Sequence, residues 1–313
     1  MKQEIKLYNG TVTIYFEEKD WNGKKIHLYT NEKGEKIESN TGVTGIIDKS
    51  TPLMWWTSRV NAERTLMDLG IVPECYFSEI KKENQKQWDC LEQNAIDLKL
   101  GTSNIIKSVR LGRNEYRDKK ETAADIGTMI HEWIDKWINL KKRPPMPEDE
   151  KVKSGVIAFL DWFGKNHLEF IVNERIVYSL KHNVIGRLDG ITNDLDDCYL
   201  SLEDFKSSND IYEEMVLQTA GYLMMIEEEI NYLLSIPFES IKSPDDKKLV
   251  KLYKKYGGFK KRRILKFGKD DGMFEVREFN NHKKDIKGFL AAFVLKNRVG
   301  ELKKELHDGH QKI

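Results

Sequence analysis

Gly186-Arg187-Leu188-Asp189-Gly190, followed fifteen positions after its aspartate (204 − 189) by the second aspartate of Glu203-Asp204-Phe205-Lys206, decides how this chain is read. Asn183 to Ile191 reads as one strand, the polar run NDLDD (193–197) as a turn, and Cys198 to Lys206 as the returning strand of a hairpin. Strand side chains alternate between faces, so Asp204 and Lys206 project together while Phe205 points into the core. Asp189, on the partner strand, meets them on that face. Two ionised carboxylates about 5 Å apart repel by roughly 3 kcal/mol at an effective dielectric of about 20. Either something cationic sits between them or one of them takes a proton. Lys206 neutralises part of that charge. A hard divalent cation does it better, because Mg2+ takes one or two carboxylates together with water and phosphate oxygens. Carboxylates, such a metal and a nearby lysine make a reagent for phosphodiester hydrolysis: the metal polarises the phosphate and activates water, and the lysine stabilises or orients charge.

Composition bounds the remainder. At 313 residues, with 39% hydrophobic and 33% charged, the chain is globular rather than disordered or membrane-bound, and long enough for one large domain or two small ones. No apolar run reaches bilayer-spanning length, and the opening MKQEIK lacks a signal-peptide core. Cys75, Cys90 and Cys198 are scattered and odd in number. They point to a reducing cytoplasm and no disulfide frame, and they are too few for a four-cysteine iron–sulfur cluster. A net charge of +1 says nothing for a nucleic acid, but Lys247 to Arg263 does. That stretch includes Lys254, Lys255, Lys260, Lys261 and Arg262, with Tyr253, Tyr256 and Phe259 interleaved. The mixture suits a polyanion with stackable bases, and it equally suits a solvated lysine-rich helix end and loop.

Short strands are expected around residues 5–8, 12–16 and 26–29, split by turn-forming Asn9-Gly10, Asn22-Gly23 and Gly34. Thr51-Pro52 opens a helix that Gly70 closes. It carries Trp55, Trp56, Arg59 and Arg64, a set that either stacks on bases or, as the default, packs in a core. A second helix is expected over 82–99 and a basic loop or helix over 102–122. From Ala123 to about Leu140 the residues Ile126, Ile130, Trp133, Ile134, Trp137 and Ile138 fall on one side of a strong helix. An amphipathic helix over 153–165, strands at 168–180, 183–191 and 198–206, and a helix over 211–234 follow. The pattern closes with a hairpin at 263–279 and a helix over 285–306.

Two helical pairs complete the pattern. Gly127 and His131 are four apart on one face, where glycine admits a neighbouring backbone and histidine binds metal. Taken alone, His131 reads as a hydrogen-bonded structural histidine. Gln218 and Tyr222 share a face in the same way, and taken alone they read as core. Glu174 on the preceding strand either faces the same site or, as the default, is a surface carboxylate, and Glu203 reads as a residue turned away from Asp204. Together, GTMIH (127–131), GRLDG (186–190), EDFK (203–206) and QTAGY (218–222), in that order, resemble the RecB-like branch of the PD-(D/E)XK nuclease superfamily. The resemblance covers about residues 123 to 300. A weaker likeness to the start of phage-type exonucleases covers the segment from Gly42 through the Trp55-Trp56 helix.

What the resemblance implies is an α/β, restriction-endonuclease-like core: a mixed central sheet of four or five strands flanked by helices, with an N-terminal β-hairpin and helical insertion. The expected division is a nuclease core over 121–313 and a hairpin-and-helix region over 1–120 packed on it, in which residues 52–100 build an arch for single-stranded DNA. His131, Asp189 and Asp204 would ligate Mg2+ or Mn2+, with the Phe205 carbonyl as a further ligand, and Lys206 would position or activate the attacking water. Gln218 and Tyr222 would contact the DNA backbone or support Lys206. Trp55, Trp56, Arg59, Lys254, Lys255, Lys260, Lys261 and Arg262 would face nucleic acid. The iron–sulfur staple of some relatives would be absent. The implied function is an exonuclease on single-stranded or end-containing DNA. It would act in recombination, repair or phage replication in the cytoplasm of a bacterial or phage-infected cell, beside recombination or replication proteins. An endonuclease on the same fold and a non-cleaving DNA-binding or assembly protein are the alternatives.

Overall fold

The computed structural model describes residues 2–21, 24–47, 50–71, 126–140, 143–208, 210–267 and 274–308. The chain divides into two compact units, residues 1–47 with 126–313, and residues 48–125. The boundary expected near residue 120 is thus drawn differently: the N-terminal strands belong to the same unit as the central sheet. In the second unit the described part is helix α2, Ser50–Asp68, closed by Gly70 at φ +72°. The helix and loop expected over 82–122 lie outside the described residues.

The first unit is α/β. Strands β1 (Lys2–Leu7), β2 (Val12–Trp21) and β3 (Lys24–Thr30) form an antiparallel three-stranded sheet. A mixed six-stranded sheet is built from β4 (Glu38–Ser39), β5 (Leu168–Ser179), β6 (Val184–Asp194), β7 (Tyr199–Lys206), β8 (Phe259–Phe267) and β9 (Phe274–Phe279). The pairs β5/β6, β6/β7 and β8/β9 are antiparallel, whereas β4 with β6 and β7 with β8 are parallel. The remaining helices are α1 (Asn40–Thr44), α3 (126–139), α4 (Glu150–Lys165), α5 (Glu213–Ser235), α6 (Pro244–Tyr256) and α7 (His282–Asp308).

Burial explains the layering. Strand β7 is buried on both faces up to Phe205, as a central strand between helical layers must be. Leu200 and Leu202 pack with Leu223 and Ile226 of α5, Leu249 of α6 and Phe289 of α7. Phe205, with Leu265 and Phe267 of β8, packs on Ile130 and Ile134 of α3 and Phe159 of α4. Tyr8 and Ile14 of the N-terminal sheet, with Ile37, pack on Tyr178 and Ile185 of β5 and β6. The basic stretch 247–263 is not one helix end and loop. It divides at Gly257 (φ +75°) and Gly258 (φ +119°) into the end of α6 and the start of β8.

One feature of the topology positions the site. Strand β5 follows β6 from Val184 to Asp194, so β6 has only its other edge left for β4 and β7. Strand β4 takes that edge at Val184 and Ile185, and β7 takes it from Gly190 to Asp194. Between them, Gly186 to Asp189 face a gap in the sheet.

Candidate metal centre

The gap gathers side chains from six elements. In the β5/β6 register, Asn173 opposes Gly190 and Arg175 opposes Leu188, which brackets Glu174 against Asp189. Continuing the Gly190–Glu203 register by one residue sets Asp189 against Asp204. Glu174, Asp189 and Asp204 therefore form one row across three strands, and residues in such a row share a face. The β6/β7 ladder opens at this level. The Phe205 N–H, the next donor on β7, bonds the Asp189 carboxylate at 2.5 Å instead of a strand partner. Lys206 Nζ lies 2.6 Å from Asp204 Oδ2, as the shared face requires.

Helix α3 brings His131 over the row, its Nδ1 3.9 Å from Asp189 Oδ1 and its ring edge-on to Phe205 at 5.5 Å between centroids. Gly127, one turn earlier, allows this approach, because a Cβ there would come within 2.1 Å of Ser207 Oγ. From α5, Gln218 Nε2 donates to the Tyr222 hydroxyl at 2.7 Å. Asn40 of α1 is buried and donates to the Gln218 carbonyl at 2.8 Å. Tyr222 fits over Gly186, where a Cβ would lie 2.5 Å from its ring. A cavity of ≈ 950 Å³ between β1 and β5 takes in only Glu174 of this group.

The electrostatics follow from burial of like charge. Burial, with Asp189 alongside, pushes the Glu174 carboxyl up to about 7, against the pull of Arg187. Burial and Asp189 raise Asp204 to about 6, although Lys206 draws it down. Asp189 is raised as well, by burial, and held back by Lys206 and the Phe205 N–H. Burial alone would lower Lys206, but Asp204 and Asp189 outweigh it and keep the ammonium protonated. Burial and then Lys206 lower His131 to about 4, so its imidazole is neutral at pH 7. His131, Glu174 and Asp189 each offer one ligand atom, and these lie within 4.8 Å of one another. A neutral imidazole beside carboxylates strained toward protonation is the donor set a divalent cation relieves.

Of the residues expected at the site, His131, Asp189, Asp204, Phe205, Lys206, Gln218 and Tyr222 are brought together. Glu174 takes the first of its two readings: it is one of the row of three and not the surface carboxylate of the default. The tight β5–β6 connection, whose pairing begins at Ser179–Val184, carries the signal that finds it, since counting back along that register reaches Glu174–Asp189. Arg187, half-exposed and 3.8 Å from Glu174, and Asn40 were given no role by the sequence reading. Glu203 does face away: Thr192 Oγ1 donates to it at 2.6 Å and Arg263 at 3.1 Å.

Of the expected nucleic-acid contacts, Lys254, Lys255, Lys260, Lys261 and Arg262 are not brought to this gap. Arg262 is a correction. It is fully buried, its guanidinium bonded to the Val216 carbonyl at 2.9 Å, Thr219 Oγ1 at 3.1 Å, His282 and Asp285. Lys260 and Lys261 lie over the Tyr199 ring at 4.6 and 5.1 Å, and Lys261 also pairs with Glu278 at 2.7 Å. These residues, with Lys254 and Lys255 just before them, flank Phe259, which pairs with Leu200. Leu200 is six residues down β7 from Lys206, or about 20 Å at the rise of a strand. Trp55, Trp56 and Arg59 are on α2, and their side chains lie outside the described residues.

No protein-family model matches the chain, and no curated protein matches it. Among the described residues no helix is long and apolar enough to cross a membrane.

Proposed function

We propose that this chain is a metal-dependent deoxyribonuclease on a restriction-endonuclease-like core, acting as an exonuclease on single-stranded or end-containing DNA. The observation that carries the reading is the convergence of Asp189, Asp204 and Lys206 with His131 and Glu174 at the gap beside β6. Three buried or half-buried acids, with Lys206 and the half-exposed Arg187 as the cations beside them, still lack positive charge, and a hydrolytic metal site needs that deficit. His131, Glu174 and Asp189 would hold a divalent cation, with Asp204 and the Phe205 carbonyl beside them. Two carboxylates and an imidazole suit Mn2+ as well as Mg2+. When bound, the cation polarises a phosphate oxygen and makes water more acidic.

The chain's own groups supply the remaining functions. Asp204 fixes the Lys206 ammonium, and because that group stays protonated it acts as a donor toward a phosphate oxygen or the attacking water rather than as the base. The Phe205 N–H holds Asp189 in one rotamer. Gln218 and Tyr222 present their paired donors beside Gly186, where a nucleic-acid backbone approaches. Arg187, exposed next to the acids, meets the phosphate that would otherwise be repelled.

The test is cleavage of end-labelled linear single-stranded DNA beside a closed circle, in Mg2+, Mn2+ or EDTA. Metal-dependent loss of the linear strand alone is expected, with Lys206→Ala and Asp204→Ala at least about a hundredfold slower. Cutting of the circle would make the protein an endonuclease. Binding without cutting in either metal, or full activity in both variants, would remove the mechanism.

A further inference from the structure

The basic residues left unassigned at the far end of the sheet border a cleft of their own. A cavity of ≈ 520 Å³ lies between the last turns of α5 and the outer face of α6. Its floor is Leu233, Leu234, Ile236, Phe238 and Val250. Leu234 is 41% exposed and Phe238 46%, so two large apolar side chains face water side by side. Its rim is Lys251, Lys254 and Lys255, and Lys247 stands over the Phe238 ring at 6.0 Å.

The lysines at 247, 251, 254 and 255 follow i, i+4, i+7, i+8 and so line one face of α6. Like charges at that spacing destabilise a helix by repulsion. No acidic residue lines the cavity. The lysines of its rim, Lys251, Lys254 and Lys255, have no carboxylate partner among the described residues. An apolar trough beside an uncompensated basic stripe has the complementary form of an amphipathic anion. Its floor is mainly aliphatic, with one aromatic ring, so it offers side-chain sockets rather than the successive stacking platforms that single-stranded nucleic acid uses. A volume of this size holds a few side chains of a peptide. It is also remote from the metal centre. Leu234 is twelve residues along α5 from Tyr222, about 18 Å at the rise of a helix, so occupancy leaves the gap beside β6 open.

We propose that this cleft docks an acidic peptide segment of a partner protein, its bulky apolar side chains in the Leu234–Phe238 trough and its carboxylates on the Lys251–Lys255 stripe. The test is fluorescence anisotropy on the full chain with a labelled aspartate-rich peptide bearing a leucine and a phenylalanine, against a control in which both are serine. Saturable, salt-sensitive binding of the first peptide alone is expected, weakened about tenfold by Lys251→Glu and by Phe238→Ser. Both variants should keep a cooperative melt, with Lys251→Glu no less stable than wild type, and the metal-dependent cleavage rate of both should match wild type. Equal binding of the two peptides, or binding that neither substitution changes, overturns the proposal. Displacement of the peptide by oligothymidylate, with oligothymidylate binding lost in the same variants, would assign the cleft to nucleic acid and overturn it as well.

Discussion

Glu174 holds a φ of +46° in mid-strand, a conformation that costs a non-glycine residue of order 1 kcal/mol. Its neighbours enforce it, and the result is a third carboxylate turned toward Asp189 and His131. Its carboxyl, lifted from 4.5 to about 7, binds a proton more tightly folded than unfolded. The stability this contributes is complete below pH 4.5 and is lost as pH rises through 7. His131, lowered from 6.5 to about 4, acts oppositely: its contribution is present above pH 6.5 and is lost as pH falls through 4. Glu174→Gln separates the two. In EDTA at pH 8 the variant should melt about 3 °C above wild type, a gap that closes toward pH 4.5. In Mn2+ the order should reverse, because the variant loses a ligand and with it the metal's stabilisation. Scanning calorimetry across pH, with and without metal, checks both signs.

At the scale of elements, close packing decides what each helix delivers. Helix α5 can present Gln218 and Tyr222 to the gap only because Gly186 and Gly221 have no side chains: a Cβ at Gly221 would lie 2.1 Å from Asn40 Oδ1. Gly186→Ala should therefore cost about 1–3 kcal/mol in urea denaturation and lower kcat by displacing Tyr222. On the same helix, Arg262 of β8 ties α5 to the first turn of α7 through Val216, Thr219 and Asp285. Arg262→Ala should cost about 3–5 kcal/mol, because it leaves buried acceptors and a carboxylate unpaired. A nucleic-acid contact at Arg262 would instead predict normal stability and weaker DNA binding, so urea midpoints distinguish the two roles.

For the whole molecule, the N-terminal strands are part of the same compact unit as the central sheet rather than an appendage. Strand β4 pairs with β6, Asn40 bonds α5, and the Tyr8 N–H bonds Glu229 at 3.1 Å while its hydroxyl bonds the Tyr178 carbonyl at 2.8 Å. Removing residues 1–47 should abolish the cooperative melt by circular dichroism, whereas an independent appendage would leave it intact. The α/β class, the strands from 168 to 206, the α5 register that pairs Gln218 with Tyr222, and the Asp189–Asp204–Lys206 set were all legible in the chain. Each depends on local alternation, helical spacing or one short hairpin. Arg262 and Arg263 read as surface cations in sequence, because a run of basic residues does not reveal which of them a strand turns inward. For Glu174 the sequence leaves two readings, the site and the surface, since a carboxylate acquires a role only from what faces it across the β5/β6 ladder. The sequence alone determined which acids, lysine and paired helical side chains share a face, through residue type and spacing. The tertiary structure alone decided that β4 and β7 share one edge of β6 and leave a gap, and that α6 runs into β8 where Phe259 pairs with Leu200, at the end of β7 away from Lys206. Both are consequences of contacts between residues far apart in the chain, which no local pattern encodes.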